Sequence, residues 1–358
     1  MRRFFRRYQK VLFIILLFLC LAGIVYIGMI QQRSGSGTTA ASKTFAGQAM
    51  GTAVKKTLFG ADTEQFETVN GQIDDCLDQF EKQVSVRVYD SEIAKCNRMY
   101  AVDGFYYLSD DVLNDLAREM EIYKSSKGAF SPCIRPISDL WGIEDGNQTV
   151  PDDKTIRKTL QYCNPEDIEL KEGGVVFHSA NMALDFGAAG KGIAGDKVYR
   201  ILEKSDLTGA VVSIGGTIVV YGSKGTDKEW HVGIQDPRGE NGSPFAVLDI
   251  EGGYIVSTSG DYEKYFEQDG KRYHHIFDPA TGYPADSGLM SVSIISKDGF
   301  LSDALSTACF VMGLENGMKY AREQNVEAIF VTTDQKVYVT KGIRKNFRIQ
   351  VDAYELEK

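Results

Sequence analysis

Three segments of this sequence hold residue types suited to handling a phosphate, a divalent cation and a proton. Residues 183–192, Ala-Leu-Asp-Phe-Gly-Ala-Ala-Gly-Lys-Gly, read as a strand, a glycine-rich turn and the start of a helix. Backbone N–H groups at such a turn can cradle phosphate, and Lys191 adds a point charge beside them. The segment is no P-loop, which needs glycine where Asp185 stands and serine or threonine where Gly192 stands. Asp185-Phe186-Gly187 spells the kinase DFG, yet no HRD-type catalytic loop accompanies it in the chain. On its own the segment is better explained as a structural strand-to-helix turn. Asp303 and Thr307 stand four residues apart in an expected helix, which puts both oxygens on one face. Carboxylate and hydroxyl oxygens suit magnesium, which commonly completes its shell with substrate phosphates and water. As an isolated pair they read more simply as a solvated helix face. His275-Ile-Phe-Asp278-Pro279-Ala-Thr281-Gly282-Tyr-Pro284 is at minimum a strand ending in tight turns. Its chemical reading makes His275 a proton acceptor, because histidine titrates nearest neutral pH.

The elements that must position these residues follow from hydrophobic spacing. Phe66, Val69, Ile73, Leu77 and Phe80 recur at steps of three and four and predict a helix over 62–83. Leu113, Leu116, Met120 and Tyr123 predict a second, which Gly128 can end in a left-handed cap. Further helices are expected from Lys191 to Lys204 and from Ser302 to Met312, the latter stopped by Gly313. Strand-like runs fall at 175–177, 183–186, 210–214, 217–221, 245–250, 290–295, 328–332 and 336–339. Short turns join most of them, which favours an α+β fold of largely antiparallel sheets with packed helices over a doubly wound parallel sheet. No internal repeat and no clear second-domain linker is visible.

The chain has 358 residues, 43% hydrophobic and 25% charged, enough to bury a substantial core. Its net charge of −9 is uneven: the first ten residues hold five of the 40 basic residues and no acid, leaving 35 against 49, or −14, for the rest. So acidic a body is a poor partner for nucleic acid, where affinity comes from neutralised phosphates. After the basic tail 1–10, Val11–Ile30 runs without a charged residue. Twenty helical residues rise about 30 Å, enough to cross a bilayer's hydrocarbon core. The positive-inside rule keeps the arginines cytoplasmic and places the remainder outside the cell membrane, as a single-pass protein. A cleavable signal peptide usually has a shorter apolar region and a small-x-small site. A lipoprotein signal at Cys20 lacks the small residue wanted just before the cysteine. Residues 31–43 read as a flexible tether and 44–358 as one catalytic body. The six cysteines form no CxxC or Cys/His cluster, and read mostly as buried free thiols.

Taken together and in order, these segments resemble the FAD:protein FMN transferase family, the ApbE-type proteins. Met50-Gly51-Thr52 matches the family's opening MGT, and Tyr89-Asp90-Ser91-Glu92-Ile93 with Asn97 its tyrosine, SE and asparagine pattern. Ala129-Phe130-Ser131-Pro132 with Leu140-Trp141-Gly142 is similar to AFDP…LWG, and residues 185–192 to DLGGIAKG. Ser213-Ile-Gly215-Gly216, Ser257–Tyr262 and Ser302–Ala308 match the family's glycine pair, TSGDY run and ADALAT helix, with HIFDPATGYP between the last two. Three positions depart from the pattern: Ser131 for aspartate, Gly190 for alanine before the lysine, and Thr217 for asparagine after the glycine pair.

The resemblance implies a T-fold-like body that takes FAD as substrate with Mg2+. Met50, Tyr89, Ala129, Phe130, Ser131, Asp185, Lys191 and Ile276 would line the FAD site. The Ala188 carbonyl and the Asp303 and Thr307 side chains would hold magnesium. A threonine or serine hydroxyl of an acceptor protein would attack the FMN phosphorus and AMP would leave. Lys191 would offset pyrophosphate charge and His275 would take the proton, with Asp278 and Asp261 as partners or substitutes. A magnesium-dependent FAD pyrophosphatase, or a protein that binds FAD without chemistry, would share much of this pattern. The chain shows no flavin-acceptor threonine motif of its own, so action on other proteins is expected.

Overall fold

The computed structural model describes residues 41–143, 146–225 and 227–357. The basic tail, the apolar span 11–30 and residues 31–40 of the expected tether lie outside the described residues. Among those described, no helix is long and apolar enough to cross a membrane. The body starts earlier than expected. Residues 41–43 already belong to strand β1 (Ala41–Ala49), which pairs antiparallel with β2 (Thr52–Gly60). Met50 and Gly51, with φ of 53° and 68°, form the tight two-residue turn between them.

Nine strands lie side by side in chain order. After β1 and β2 come β3 (Gly209–Ile214), β4 (Thr217–Gly222), β5 (Tyr254–Gly260), β6 (Leu289–Ser296), β7 (Glu327–Thr332), β8 (Lys336–Val339) and β9 (Glu355–Leu356). Every neighbouring pair is antiparallel except β8 and β9. The antiparallel α+β expectation therefore holds, and its cause is local: a two-residue turn such as Gly215-Gly216 leaves no length for a crossover helix.

Seven helices accompany these strands among the described residues: α1 (Thr63–Val84), α2 (Glu92–Met99), α3 (Asp110–Ser125), α4 (Arg135–Trp141), α5 (Asp153–Leu160), α6 (Gly190–Glu203) and α7 (Gly299–Glu323). The periodic residues of α1 are all buried, and Asp62 caps its start by accepting the Glu64 N–H. Helices α1, α6 and α7 pack over one face of the large sheet. A small sheet of Glu229–Gln235, Pro244–Glu251 and Phe347–Ile349 packs over the other. Adjacent residues on a strand therefore enter different cores: Ile255 and Ile294 face the helices, Val256 and Ile295 the small sheet. That is why all eight residues of β6 are buried.

Two expectations need correction. Residues 183–186 form no strand of any sheet, because a side chain takes the place of a neighbouring strand. Asn97 accepts the Leu184 N–H and donates to the Leu184 carbonyl, both at 2.8 Å, and the Pro132 carbonyl takes the Asp185 N–H. The second concerns Gly313, which leaves helical geometry (φ 75°, ψ 179°) where a stop was expected. Helical geometry nonetheless resumes to Glu323, because Gly317, Tyr320 and Ala321 continue the buried surface. All five cysteines in the described region are free thiols, and all but Cys76 are fully buried.

One buried group opposes the fold. Glu119 on α3 is inaccessible to solvent, and neither carboxylate oxygen has a hydrogen-bond partner. Burial, reinforced by the nearby Asp185, Asp115 and Asp303 carboxylates, raises its proton affinity well above the ordinary range. The folded protein thus retains a proton that the unfolded chain releases above about pH 4.3. Stability must fall as pH rises past that point. Glu119→Met is therefore expected to stabilise the apo-protein by roughly 1–3 kcal/mol near neutral pH, the usual cost of an unsatisfied buried polar group. The gain should be largest at pH 8 and shrink toward pH 4 in thermal melts. A loss of stability, or a gain independent of pH, would refute this account of Glu119.

Candidate active site

Helices α6 and α7 begin side by side, at a separation only glycine permits. A Cβ on Gly192 would lie 2.0 Å from the Gly299 carbonyl oxygen, and one on Gly299 would lie 2.4 Å from that of Gly192. Asp196 on α6 accepts the Gly299 and Phe300 N–H groups at 2.7 and 3.0 Å, and Asp298 accepts that of Leu301 at 3.0 Å. These are N–H groups that the first turn of α7 would otherwise leave unsatisfied. In return, Asp303 on α7 accepts the Gly192 N–H of α6 at 2.9 Å. Lys191 Nζ lies 3.7 Å from Asp303 Oδ1.

Asp303 is 2% exposed. Burial raises the proton affinity of its carboxyl, while Lys191 and the Gly192 N–H pull the other way. Glu263 is raised for the same first reason, with Lys191 lowering it and Asp303 raising it further. Lys191 thus favours the ionised form of both carboxyl groups. One turn beyond Asp303, Thr307 Oγ1 lies 3.2 Å from Ser259 Oγ, which also bonds Ser306 at 2.7 Å. Ser257 bridges Thr217 and Ser302 at 3.0 and 2.8 Å, and Ser302 donates to the Gly299 carbonyl. These hydroxyls tie β5 to the first turns of α7.

A cavity opens over the head of the two helices. It is lined by Met50, Ala129, Phe130, Ser131, Asp185, Ala188, Lys191, His275, Ile276, Asp303 and Thr307, eleven of the twelve residues the sequence nominates. The twelfth, Tyr89, is not brought in. Its ring is 73% exposed and stacks beneath the Arg98 guanidinium, 3.9 Å from the ring centroid. Arg98 also donates to the Tyr89 carbonyl, which holds the residue in that place. Asp185 accepts the Gly187 N–H at 2.8 Å and lies 3.6 Å from Arg135. Ser131 is buried, and its hydroxyl accepts the Cys133 N–H at 3.4 Å, so it contributes a turn and no charge.

Of the four histidines only His275 lines the cavity. Its Nδ1 is 3.3 Å from the Lys264 carbonyl, and a carbonyl only accepts, so Nδ1 carries the proton and Nε2 is the basic nitrogen. The neighbouring His274 is structural. Burial depresses its proton affinity, Nε2 donates to the Ala285 carbonyl, and Nδ1 accepts the Ile276 N–H. Both substitute bases are otherwise engaged. Asp261 holds Arg238 through two bonds of 2.8 and 2.7 Å, and Asp278 accepts from Ala280 N–H and the Thr281 hydroxyl.

The cavity also contains Glu81, Arg87, Arg135 and Glu263, which the sequence did not nominate. Glu81 accepts the Met50 N–H at 2.8 Å and so orients the β1–β2 turn. No local motif marks these four. Glu263 had the one available signal, since it directly follows the Ser257–Tyr262 run.

Residues 50–330 match the ApbE family. The chain is 37% identical over 259 residues to a FAD:protein FMN transferase of Treponema pallidum (strain Nichols), covering 68% of this chain and 71% of that protein. It is 36% identical over 231 residues to one from Klebsiella pneumoniae (strain 342), covering 64% and 71%. The crystal structure of Pseudomonas stutzeri flavinyl transferase ApbE in its apo form superposes with a TM-score of 0.77 at 27% identity, over 88% of this chain and all of that one.

Two glycines beside Lys191 should respond differently to an added methyl. Gly192→Ala must push α6 from α7, and is expected to destabilise the protein by about 1–3 kcal/mol or more and to weaken FAD binding. At Gly190 the nearest atom to an added Cβ is Met50 Cε at 3.7 Å, an ordinary contact. Gly190→Ala should keep both properties and gain up to about 1 kcal/mol from reduced chain entropy. Thermal melts and flavin fluorescence quenching of the two variants check this, and equal behaviour would refute it.

Proposed function

The chain belongs to the ApbE family and is an FAD:protein FMN transferase, and we propose that it uses magnesium to move FMN onto threonine or serine hydroxyls of other proteins. The observation that carries this reading is the meeting of Lys191 with the buried Asp303 at the head of α6 and α7, inside a cavity that also contains His275.

The residues present fit a hard cation. Asp303, Thr307 and the Ala188 carbonyl offer oxygen ligands, and Asp303 is a buried carboxylate with the Lys191 ammonium 3.7 Å away. Among the described residues no group of three or more His, Cys, Asp or Glu is set to hold a metal. Bound by those oxygen ligands, magnesium would neutralise charge on the FAD pyrophosphate.

Lys191 would lie against the same pyrophosphate, at the N-terminus of α6, where backbone N–H groups favour an anion. His275 Nε2 would accept the proton of the acceptor hydroxyl. As the hydroxyl oxygen bonds to the FMN phosphorus, the bond from that phosphorus to the AMP oxygen breaks, and AMP leaves with the electron pair. Positioning and charge neutralisation supply most of the catalysis in such transfers.

On the same footing the basic residues 1–10 and the apolar span 11–30 would anchor the enzyme, with its body outside the cytoplasmic membrane. Protease added to intact cells should then digest residues 41–357, and protection until lysis would refute that topology. The chemistry is tested by incubating the enzyme with FAD and magnesium against proteins of its own cell extract, then weighing the products for added FMN. Chelation should stop labelling and magnesium restore it, except in Asp303→Ala. His275→Asn should keep FAD affinity while labelling falls about 10²–10⁴-fold, the usual worth of a positioned base. Free FMN and AMP without labelled protein would identify a pyrophosphatase instead, and equal losses of affinity and rate in His275→Asn would make that residue a scaffold.

A further inference from the structure

The transferase reading requires a second protein to bring a hydroxyl to the cavity, and one structural element leads there. Strand β1 is an edge of the nine-stranded sheet, and no described strand pairs with its other side. Seven of its nine residues are exposed. Its C-terminal end runs directly into Met50, Gly51 and Thr52, which line the cavity.

The register tells which main-chain groups of that edge are available. Across a two-residue turn the flanking residues exchange both hydrogen bonds, so Ala49 and Thr52 form such a pair. Alternation then directs the N–H and C=O groups of Gly47, Phe45 and Lys43 toward β2. Those of Gln48, Ala46, Thr44 and Ser42 point away from it. The partner residue Ala53 confirms the phase: paired with Gln48, it turns its carbonyl outward to β3's side, where it accepts the Gly215 N–H at 3.1 Å.

Edges are normally blunted by short length, proline, bulges or charge. β1 has nine residues in unbroken register, no proline and one charged residue, Lys43, whose ammonium is engaged by Glu67 at 2.5 Å. The other ribbon beside the cavity, Tyr265–Gln268 with Lys271–His274, is four residues per strand and carries Glu267, Lys271 and Arg272. Among the described residues that ribbon is protected and β1 is not. At about 3.4 Å per residue, Ser42 to Gln48 spans roughly 20 Å, long enough for three or four main-chain bonds to a peptide.

We propose that the acceptor protein is recognised as an extended segment that adds to the free edge of β1, with its hydroxyl-bearing residue just past Ala49, over the cavity. Main-chain pairing would supply affinity along the strand, leave sequence selectivity to the residues around the reacting hydroxyl, and favour a segment that can be drawn out straight. Ala46→Pro and Thr44→Pro test this without disturbing the β1–β2 ladder, because each removes an N–H that points away from β2. Short synthetic peptides that copy the segments labelled in proteins of the enzyme's own cell extract, each with a single threonine, serve as probes, with FAD as donor and mass spectrometry for the added FMN.

Both variants should bind FAD as the wild type does and raise KM for a labelled peptide about tenfold or more, the effect of stranding a buried partner group. Backbone N-methylation along that peptide should weaken labelling at every second residue. An unchanged KM in both variants, a flat methylation profile, or an enzyme that labels proteins of its own extract but no peptide would overturn the proposal. So would a dimer that Ala46→Pro dissociates with KM unchanged, since the edge would then belong to a second copy. Failure of the transferase reading itself looks different, because the wild type would then label neither protein nor peptide.

Discussion

The site depends on the contact between Gly192 and Gly299. Where two helix backbones approach this closely, no side chain can intervene, and their first turns become one rigid unit. Asp196 reaches from α6 to cap α7, and Asp303 reaches from α7 to bind α6. Each helix therefore supplies the polar partners the other needs, and neither start can move alone. Lys191 and Asp303 inherit their 3.7 Å separation from this lock. Such an arrangement serves a reaction whose catalysis is mostly placement, because a small error in position costs heavily in rate.

Burial gives those few charges their strength. Asp303 sits where water cannot solvate it, and Lys191 with the Gly192 N–H counters that penalty. In such surroundings a carboxylate gains greatly from a divalent cation, since interactions there are weakly screened. The cost is visible elsewhere in the same region. Glu119, close enough to feel Asp185 and Asp303, is left without a partner and takes up a proton. The hydroxyl chain Thr217–Ser257–Ser302 shows the alternative, polar groups buried in fully bonded succession beneath α7.

The two histidines at 274 and 275 divide their work by strand geometry. Adjacent residues leaving a strand point to opposite sides, so His274 turns inward and His275 toward the cavity. The inward one orders the main chain at Ile276. The outward one is held through Nδ1 by the Lys264 carbonyl, which keeps Nε2 basic.

Much of this was legible in the sequence, for reasons that are local. Hydrophobic spacing specified α1 and α6 to within a residue or two, because helix periodicity needs only neighbours in the chain. Short turns specified an antiparallel sheet, because no crossover helix fits in them. The family motifs nominated twelve site residues, of which eleven meet in one cavity. What the tertiary structure alone decided was everything that depends on partners distant in sequence. Asn97 replaces a strand at residues 183–186, and Arg98 keeps Tyr89 outside the cavity. Asp261 and Asp278 cease to be candidate bases once Arg238 and the 278–282 turn engage them. Glu81, Arg87 and Arg135 carry no local signal, and Glu263 only its place after the Ser257–Tyr262 run, since a charged residue becomes part of a site only when the fold brings it there. Sequence spacing records which face a residue shares with its neighbours, and only three-dimensional packing determines what meets that face.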